Sequence, residues 1–107
     1  MLYIRGMANT PETKVKRKIA DILKKYDAYY FFPASNGFGR AGIPDIIACY
    51  CGQFIAIECK AGKNTTTALQ RRELGAIEDA GGYALVINET NIEQVEEVLQ
   101  QLKEAQP

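Results

Sequence analysis

Apolar positions along the chain switch between a period near 3.6 and a period near 2, and the switches divide it into successive elements. Val15, Ile19, Ile22, Leu23 and Tyr26 recur at helical spacing behind Thr10-Pro11. A threonine cap followed by proline at the first helical position predicts a helix from about Pro11 to Tyr26. AYYFF, residues 28–32, is short and aromatic and predicts a strand. A loop with three glycines, Ser35 to Ile43, leads to DIIACY (45–50) and QFIAIECK (53–60). These two apolar runs flank Cys51-Gly52, the pattern of a β-hairpin with a two-residue turn. Thr67 and Gln70 have capping-box spacing and open a second helix, with Leu69, Ala76, Ile77 and Ala80 as its stripe and Gly81-Gly82 as its stop. YALVIN (83–88) reads as a buried strand. Thr90 and Glu93 suggest another capping box, and Ile92, Val95, Leu99 and Leu102 form the stripe of a last amphipathic helix.

The expected order is α-β-β-β-α-β-α. The hairpin strands are apolar on both sides, with Ile47 and Phe54 on one and Ile46, Ile55 and Ile57 on the other. A sheet apolar on both faces needs cover on both. The expected fold is therefore α/β, a mixed central sheet flanked by helices. The length of 107 residues suits one domain over 1–107, with residues 1–9 peripheral and Met7 an alternative start.

Composition narrows the chemistry. Hydrophobic residues make up 47%, enough for a core without disulfides. No apolar run approaches the ~20 residues of a membrane helix, and the N-terminus lacks a secretory core, so a soluble cytoplasmic protein is expected. There is no histidine, which excludes Ser-His-Asp and Cys-His machinery and argues against zinc. Cys49, Cys51 and Cys59 lie in or beside apolar strands, where cysteine acts as a small hydrophobe. Carboxylates, lysines and a metal ion are left to carry any catalysis. Net charge is zero, but residues 1–40 hold eight basic and three acidic side chains and residues 41–107 five and ten. Lys14, Lys16, Arg17, Lys18, Lys24 and Lys25 form either a basic face for a phosphate backbone or a solvated helix face.

The hairpin is the most informative segment. A two-residue turn pairs Tyr50 with Gln53 and sets Asp45 opposite Glu58. Glu58 and Lys60 share a face by alternation, and cross-strand partners share a face too. Asp45, Glu58 and Lys60 therefore converge at one strand end. Opposed carboxylates repel unless a cation lies between them, and a hard oxygen set favours Mg²⁺ or Mn²⁺. Lys60 beside them would orient or deprotonate a water, or neutralise a phosphate. The bland alternative makes Asp45 a turn residue and Glu58 and Lys60 a surface pair; the apolar Phe54, Ile55 and Ile57 instead argue for a central strand. Ser35, Asn36 and Arg40 lie in the loop before Asp45, where Gly37, Gly39 and Gly42 let backbone approach a ligand. With Lys63, Arg71, Arg72, Lys14 and Lys18 they are candidates for phosphate contact, against the plainer reading of a glycine-rich turn.

The segment GIPDIIACYCGQFIAIECK resembles motifs II and III of the PD-(D/E)XK nucleases, through Pro44-Asp45 and Glu58-Cys59-Lys60. The wider pattern is similar to the VRR-NUC branch: Gly42-Ile43-Pro44-Asp45, the Glu-x-Lys strand, a following helix with Gln70, and an acidic residue, Glu12, in the first helix. The likeness spans roughly Glu12 to Leu99 and is nearest to stand-alone phage and bacterial proteins, placing the chain in a bacterial or phage-infected cell. The resemblance implies Asp45, Glu58, Lys60 and Gln70 as catalytic residues. It implies metal ligation by Asp45, Glu58, the Cys59 backbone carbonyl and, directly or through water, Glu12. Gln70 and Glu12 also have purely helical explanations, as a capping box and as an acid favoured in a first turn.

The expected function is metal-dependent, structure-selective DNA hydrolysis, in the manner of a Holliday-junction resolvase working as a homodimer, with branched DNA as partner and no small-molecule cofactor. The acidic last helix with its stripe, or the aromatics Tyr29, Tyr30 and Phe31, would supply the dimer surface. The alternatives are a monomeric flap or single-strand nuclease and a non-catalytic nucleic-acid-binding module.

Overall fold

A computed structural model describes residues 9–34 and 40–107. Its elements are α1 (Pro11–Lys25), β1 (Tyr29–Phe31), β2 (Ile46–Tyr50), β3 (Gln53–Cys59), α2 (Ala68–Asp79), β4 (Tyr83–Ile87) and α3 (Glu93–Glu104). The order is the expected one. The strands form one mixed sheet, β1-β2-β3-β4, in which β1, β2 and β3 run antiparallel and β3 pairs with β4 in parallel. Among the described residues no helix is long and apolar enough to cross a membrane.

Local chemistry sets the ends of α1. Thr10 accepts a hydrogen bond from the Thr13 amide and Pro11 follows it. At the other end Asp27 adopts φ 61°, while the Asp27 and Ala28 amides bond back to the Lys24 and Leu23 carbonyls. That is a Schellman closure with an aspartate where glycine is usual. The reversal shortens the aromatic run to a three-residue strand. Helix α2 begins with the expected capping box and ends on Gly81 at φ 96°.

One sheet face is closed. Ile46, Ala48, Ile55, Ile57, Cys59 and Ile87 meet Val15, Ile19 and Leu23 of α1 and Val95, Leu99 and Leu102 of α3 in a continuous core. Each fully buried aliphatic side chain contributes about 1.5–3 kcal/mol relative to exposure. The opposite face has one helix. Its stripe differs from expectation: Leu69 is 50% exposed, Ala76 and Ala80 are exposed, and the buried residue is Leu74. Gly82 sits in the turn that closes the helix, where a Cβ would stand 2.9 Å from Ile77 Cγ2 and 3.2 Å from the Phe54 carbonyl oxygen. The helix covers a narrow band of β3 and β4 and leaves Phe54, Phe31 and Tyr29 in solvent.

Two further expectations change. The Thr90–Glu93 box does not form: α3 starts after Ile92 without a side-chain cap, because the Thr90 hydroxyl and amide both donate to Asn88 Oδ1 at 2.6 and 2.8 Å. The cysteines do not behave alike. Cys59 is buried, Cys49 is exposed, and Cys51 takes φ 52° in the hairpin turn, with all three free.

Candidate active site

The hairpin turn fixes the register on which the site depends. Cys51 and Gly52 both have positive φ, 52° and 76°, as a type I′ turn requires. Tyr50 pairs with Gln53 and Ile46 with Ile57. Continuing that ladder by one position sets Asp45, just before β2, across from Glu58. Lys60 follows β3, its amide donating to the Ile87 carbonyl at 2.9 Å. Alternation sends Ile55, Ile57 and Cys59 into the closed core and Phe54, Ala56, Glu58 and Lys60 toward the α2 side.

The Asp45 carboxylate is anchored first, with Oδ2 accepting the Cys59 amide at 2.8 Å. Glu58 is 3% exposed. Its Oε2 accepts from Gln70 Nε2 at 2.9 Å and lies 3.4 Å from Lys60 Nζ. Its Oε1 is buried and has no hydrogen-bond partner among the described residues. Burial pushes the Glu58 carboxyl up to about 7, and the neighbouring Asp45 charge adds to the rise while Lys60 opposes it. A buried acid with one oxygen unsatisfied and a second carboxylate beside it is an arrangement a cation would relieve. Cys59 is different: burial, then the Asp45 and Glu58 charges, raise its thiol well above the ordinary value, and its side chain lies in the closed core, away from the carboxylate pair.

Gln70 does two things at once. Its Oε1 accepts the Thr67 amide at 2.9 Å, closing the capping box, and its Nε2 holds Glu58. The helical explanation and the functional one are thus served by opposite ends of a single amide.

The remaining candidates disperse. Glu12 is exposed in the first turn of α1 and lines an open depression with Ala61, Gly62 and Asn64. It does not join Asp45 and Glu58: among the described residues no three His, Cys, Asp or Glu side chains gather for a metal. Lys14 and Lys18 are exposed and border a groove reaching Gly62 and Glu89. Arg71 donates to the Thr66 carbonyl at 2.6 Å, and Arg72 and Lys63 are exposed. Arg40 pairs with Glu73 at 3.0 Å. Ser35, Asn36, Gly37 and Gly39 lie outside the described residues. Gly42 packs on the backbone of α2 rather than standing open to a ligand. Glu73 was not singled out from the sequence; its place three residues after Gln70, on the same helix face, was the available signal.

Comparison with known proteins bears on the family and the fold. The family model described as "Archaeal holliday junction resolvase (hjc)" matches residues 7–80. A solved structure titled "VRR_NUC domain" superposes with a TM-score of 0.67 at 18% identity, over 85% of this chain and 96% of that one. No curated protein matches. Both likenesses fall within the PD-(D/E)XK nuclease superfamily, and the mixed sheet with its helices is the restriction-endonuclease-like fold expected from the motifs.

Proposed function

We propose that this chain, which belongs to the archaeal Holliday junction resolvase family, is a Mg²⁺- or Mn²⁺-dependent endonuclease that cuts branched DNA as a homodimer. The observation that carries the reading is the unpartnered, buried Oε1 of Glu58 beside Asp45, with the other oxygen of Glu58 already committed to Gln70 and Lys60.

Two carboxylates suit Mg²⁺, which keeps several waters and takes few protein ligands. Asp45 and Glu58 would hold the ion, with the Cys59 carbonyl in reach of the same strand end and Glu12 contributing through water. When bound, the ion supplies Lewis-acid polarisation of a phosphate oxygen and a water of lowered pKa. The protein's own part is positional. Gln70 and Lys60 fix the Glu58 carboxylate, the Cys59 amide fixes Asp45, and Lys60 brings positive charge to where a scissile phosphate would lie. Arg40, Lys63, Arg71, Arg72, Lys14 and Lys18, with Ser35 and Asn36, remain the candidates for gripping the DNA backbone, whose contacts weaken steeply with salt.

A second copy is favoured by the uncovered half of the sheet. The α3 stripe is not available for it, since Val95, Leu99 and Leu102 are buried in the core, and Tyr30 packs against that core. Tyr29 and Phe31 are 71% and 46% exposed, and their cross-strand row continues through Cys49 to the 46%-exposed Phe54. One subunit holds one carboxylate pair, and paired incision across a junction needs two.

The test is a cleavage panel of four-way junction, flap, splayed arm, duplex and single strand, each with Mg²⁺, Mn²⁺ and EDTA. Symmetric paired cuts in the four-way junction that vanish in EDTA are expected. Single nicks confined to flaps would replace the resolvase reading with a monomeric flap nuclease. DNA binding without cleavage, and without a calorimetric difference in Mg²⁺ binding between wild type and Asp45→Ala, would leave a non-catalytic binding module.

A further inference from the structure

Four described glycines have positive φ: Gly42, Gly52, Gly62 and Gly81. At three of them the demand is conformational alone, because a Cβ would meet nothing within 4 Å. Gly42 is the exception. With φ at +83°, a Cβ there would stand 2.6 Å from the Leu69 carbonyl carbon and oxygen and 2.9 Å from the Gln70 nitrogen. These are backbone atoms of the first turn of α2, which cannot swing aside as a side-chain tip would.

The contact joins the two halves of the site. Three residues after Gly42 comes Asp45, bound to the Cys59 amide. On the far side of the contact is the peptide that precedes Gln70, whose side chain is held between the Thr67 cap and Glu58 Oε2. The Arg40–Glu73 pair fastens the same loop to the same helix one turn further on. Arg40 is 81% exposed, so that pair contributes little alone, and the steric fit at Gly42 is the stronger constraint.

We propose that Gly42 is a positioning residue: its missing side chain lets the loop that carries Asp45 close on the first turn of α2, so that Gln70 is presented to Glu58 in the orientation that leaves one carboxylate oxygen free. The inference rests on the nuclease reading for its consequence but not for its geometry. Any side chain at 42 must separate loop from helix, and the displacement passes through Gln70 to the carboxylate. Changes to groups that orient a metal ligand typically lower metal affinity or activity by about 10–100-fold.

The experiment compares Gly42→Ala, Gln70→Ala and the double variant. Mg²⁺ affinity is read by calorimetry, and the Gln70 side-chain amide by NMR in metal-free protein. Gly42→Ala is expected to weaken Mg²⁺ binding roughly tenfold or more and to move the Gln70 amide resonances toward those of a free amide. In the Gln70→Ala background it is expected to add almost nothing, because both changes act on one contact. A folded Gly42→Ala protein with wild-type affinity and an unmoved Gln70 amide overturns the proposal, as do losses that multiply in the double variant. If Gly42→Ala does not fold by circular dichroism, Glu73→Ala loosens the same loop more gently and takes its place in the cycle, with no more than about a twofold loss of affinity and a smaller shift of the Gln70 amide in the same direction expected; an unmoved amide overturns the proposal there too. A wild-type protein that binds no Mg²⁺ overturns the nuclease reading alone, and the metal-free amide signal still decides the role of Gly42.

Discussion

The two faces of strand β3 are made from alternate residues of one heptapeptide yet obey different rules. Ile55, Ile57 and Cys59 are at most 1% exposed, enclosed by α1 and α3. On the other side Phe54 is 46% exposed, Ala56 is fully buried and Glu58 is buried with an unsatisfied oxygen. The first face is saturated: every group has a partner and nothing is asked of it beyond packing. The second is incomplete at both ends, with an apolar row open to solvent at one and a carboxylate pair at the other. The contrast teaches that the closed face provides the stability on which the open face's unfavourable groups depend.

The sharpest way to break the contrast is at the carboxylates. Asp45→Asn keeps the shape and removes a charge, and is expected to lower junction cleavage at least about 10³-fold, roughly 4 kcal/mol in barrier, with little change in thermal unfolding. Comparable unfolding but undiminished cleavage would place the chemistry elsewhere.

Substitutions on the two faces should then diverge. Ile57→Ala opens a cavity in the saturated core and is expected to cost about 2–5 kcal/mol in denaturant unfolding. Phe54→Ser, three residues earlier and on the open side, should cost the isolated subunit no more than about 1 kcal/mol while shifting the proposed dimer toward monomer in ultracentrifugation. Equal losses would mean that the open face is packed in solution.

A further expected effect, below that of opening the core, is a pH dependence. In the fold Glu58 titrates near 7, above its ordinary 4.5, because burial and Asp45 disfavour its charge. The folded protein therefore holds a proton that the unfolded chain has released, and its contribution to stability falls as pH rises from about 5 to about 7.5. In EDTA that loss should be roughly 1–3 kcal/mol, absent in Glu58→Gln and reduced when Mg²⁺ is present. Stability rising with pH over that window would show that the carboxylate is not desolvated.

Much of this was legible in the sequence because local signals agreed with one another. Thr10-Pro11, the Thr67–Gln70 box and Cys51-Gly52 each act within four residues, and the type I′ turn carried the hairpin register as far as Asp45 and Glu58. What misled depended on tertiary approach. The α2 stripe failed because which side of a helix is covered depends on how it docks: Leu74 is the residue buried, while Leu69 is half exposed. The Thr90–Glu93 box lost to Asn88, a competing acceptor two residues away. Glu12 stays outside the acidic pair because its position depends on how α1 docks, which no spacing encodes. The sequence shows Gly42 only as a flexible position, because the neighbour that requires it lies 27 residues along the chain.

The Cys51-Gly52 reversal also governs chemistry at the opposite end of its ribbon. A β-strand has two sides and each added residue exchanges them, so the hairpin acts as a parity device. Lengthening the reversal by one residue, with no bulge to absorb it, would send the Glu58 and Lys60 side chains among Ile19 and Leu99 and bring Ile57 and Cys59 out beside Gln70. Composition at the tip is therefore free to vary within what positive φ allows, but residue count is not. A single-codon insertion there is expected to abolish the proposed site while leaving each of its polar residues intact.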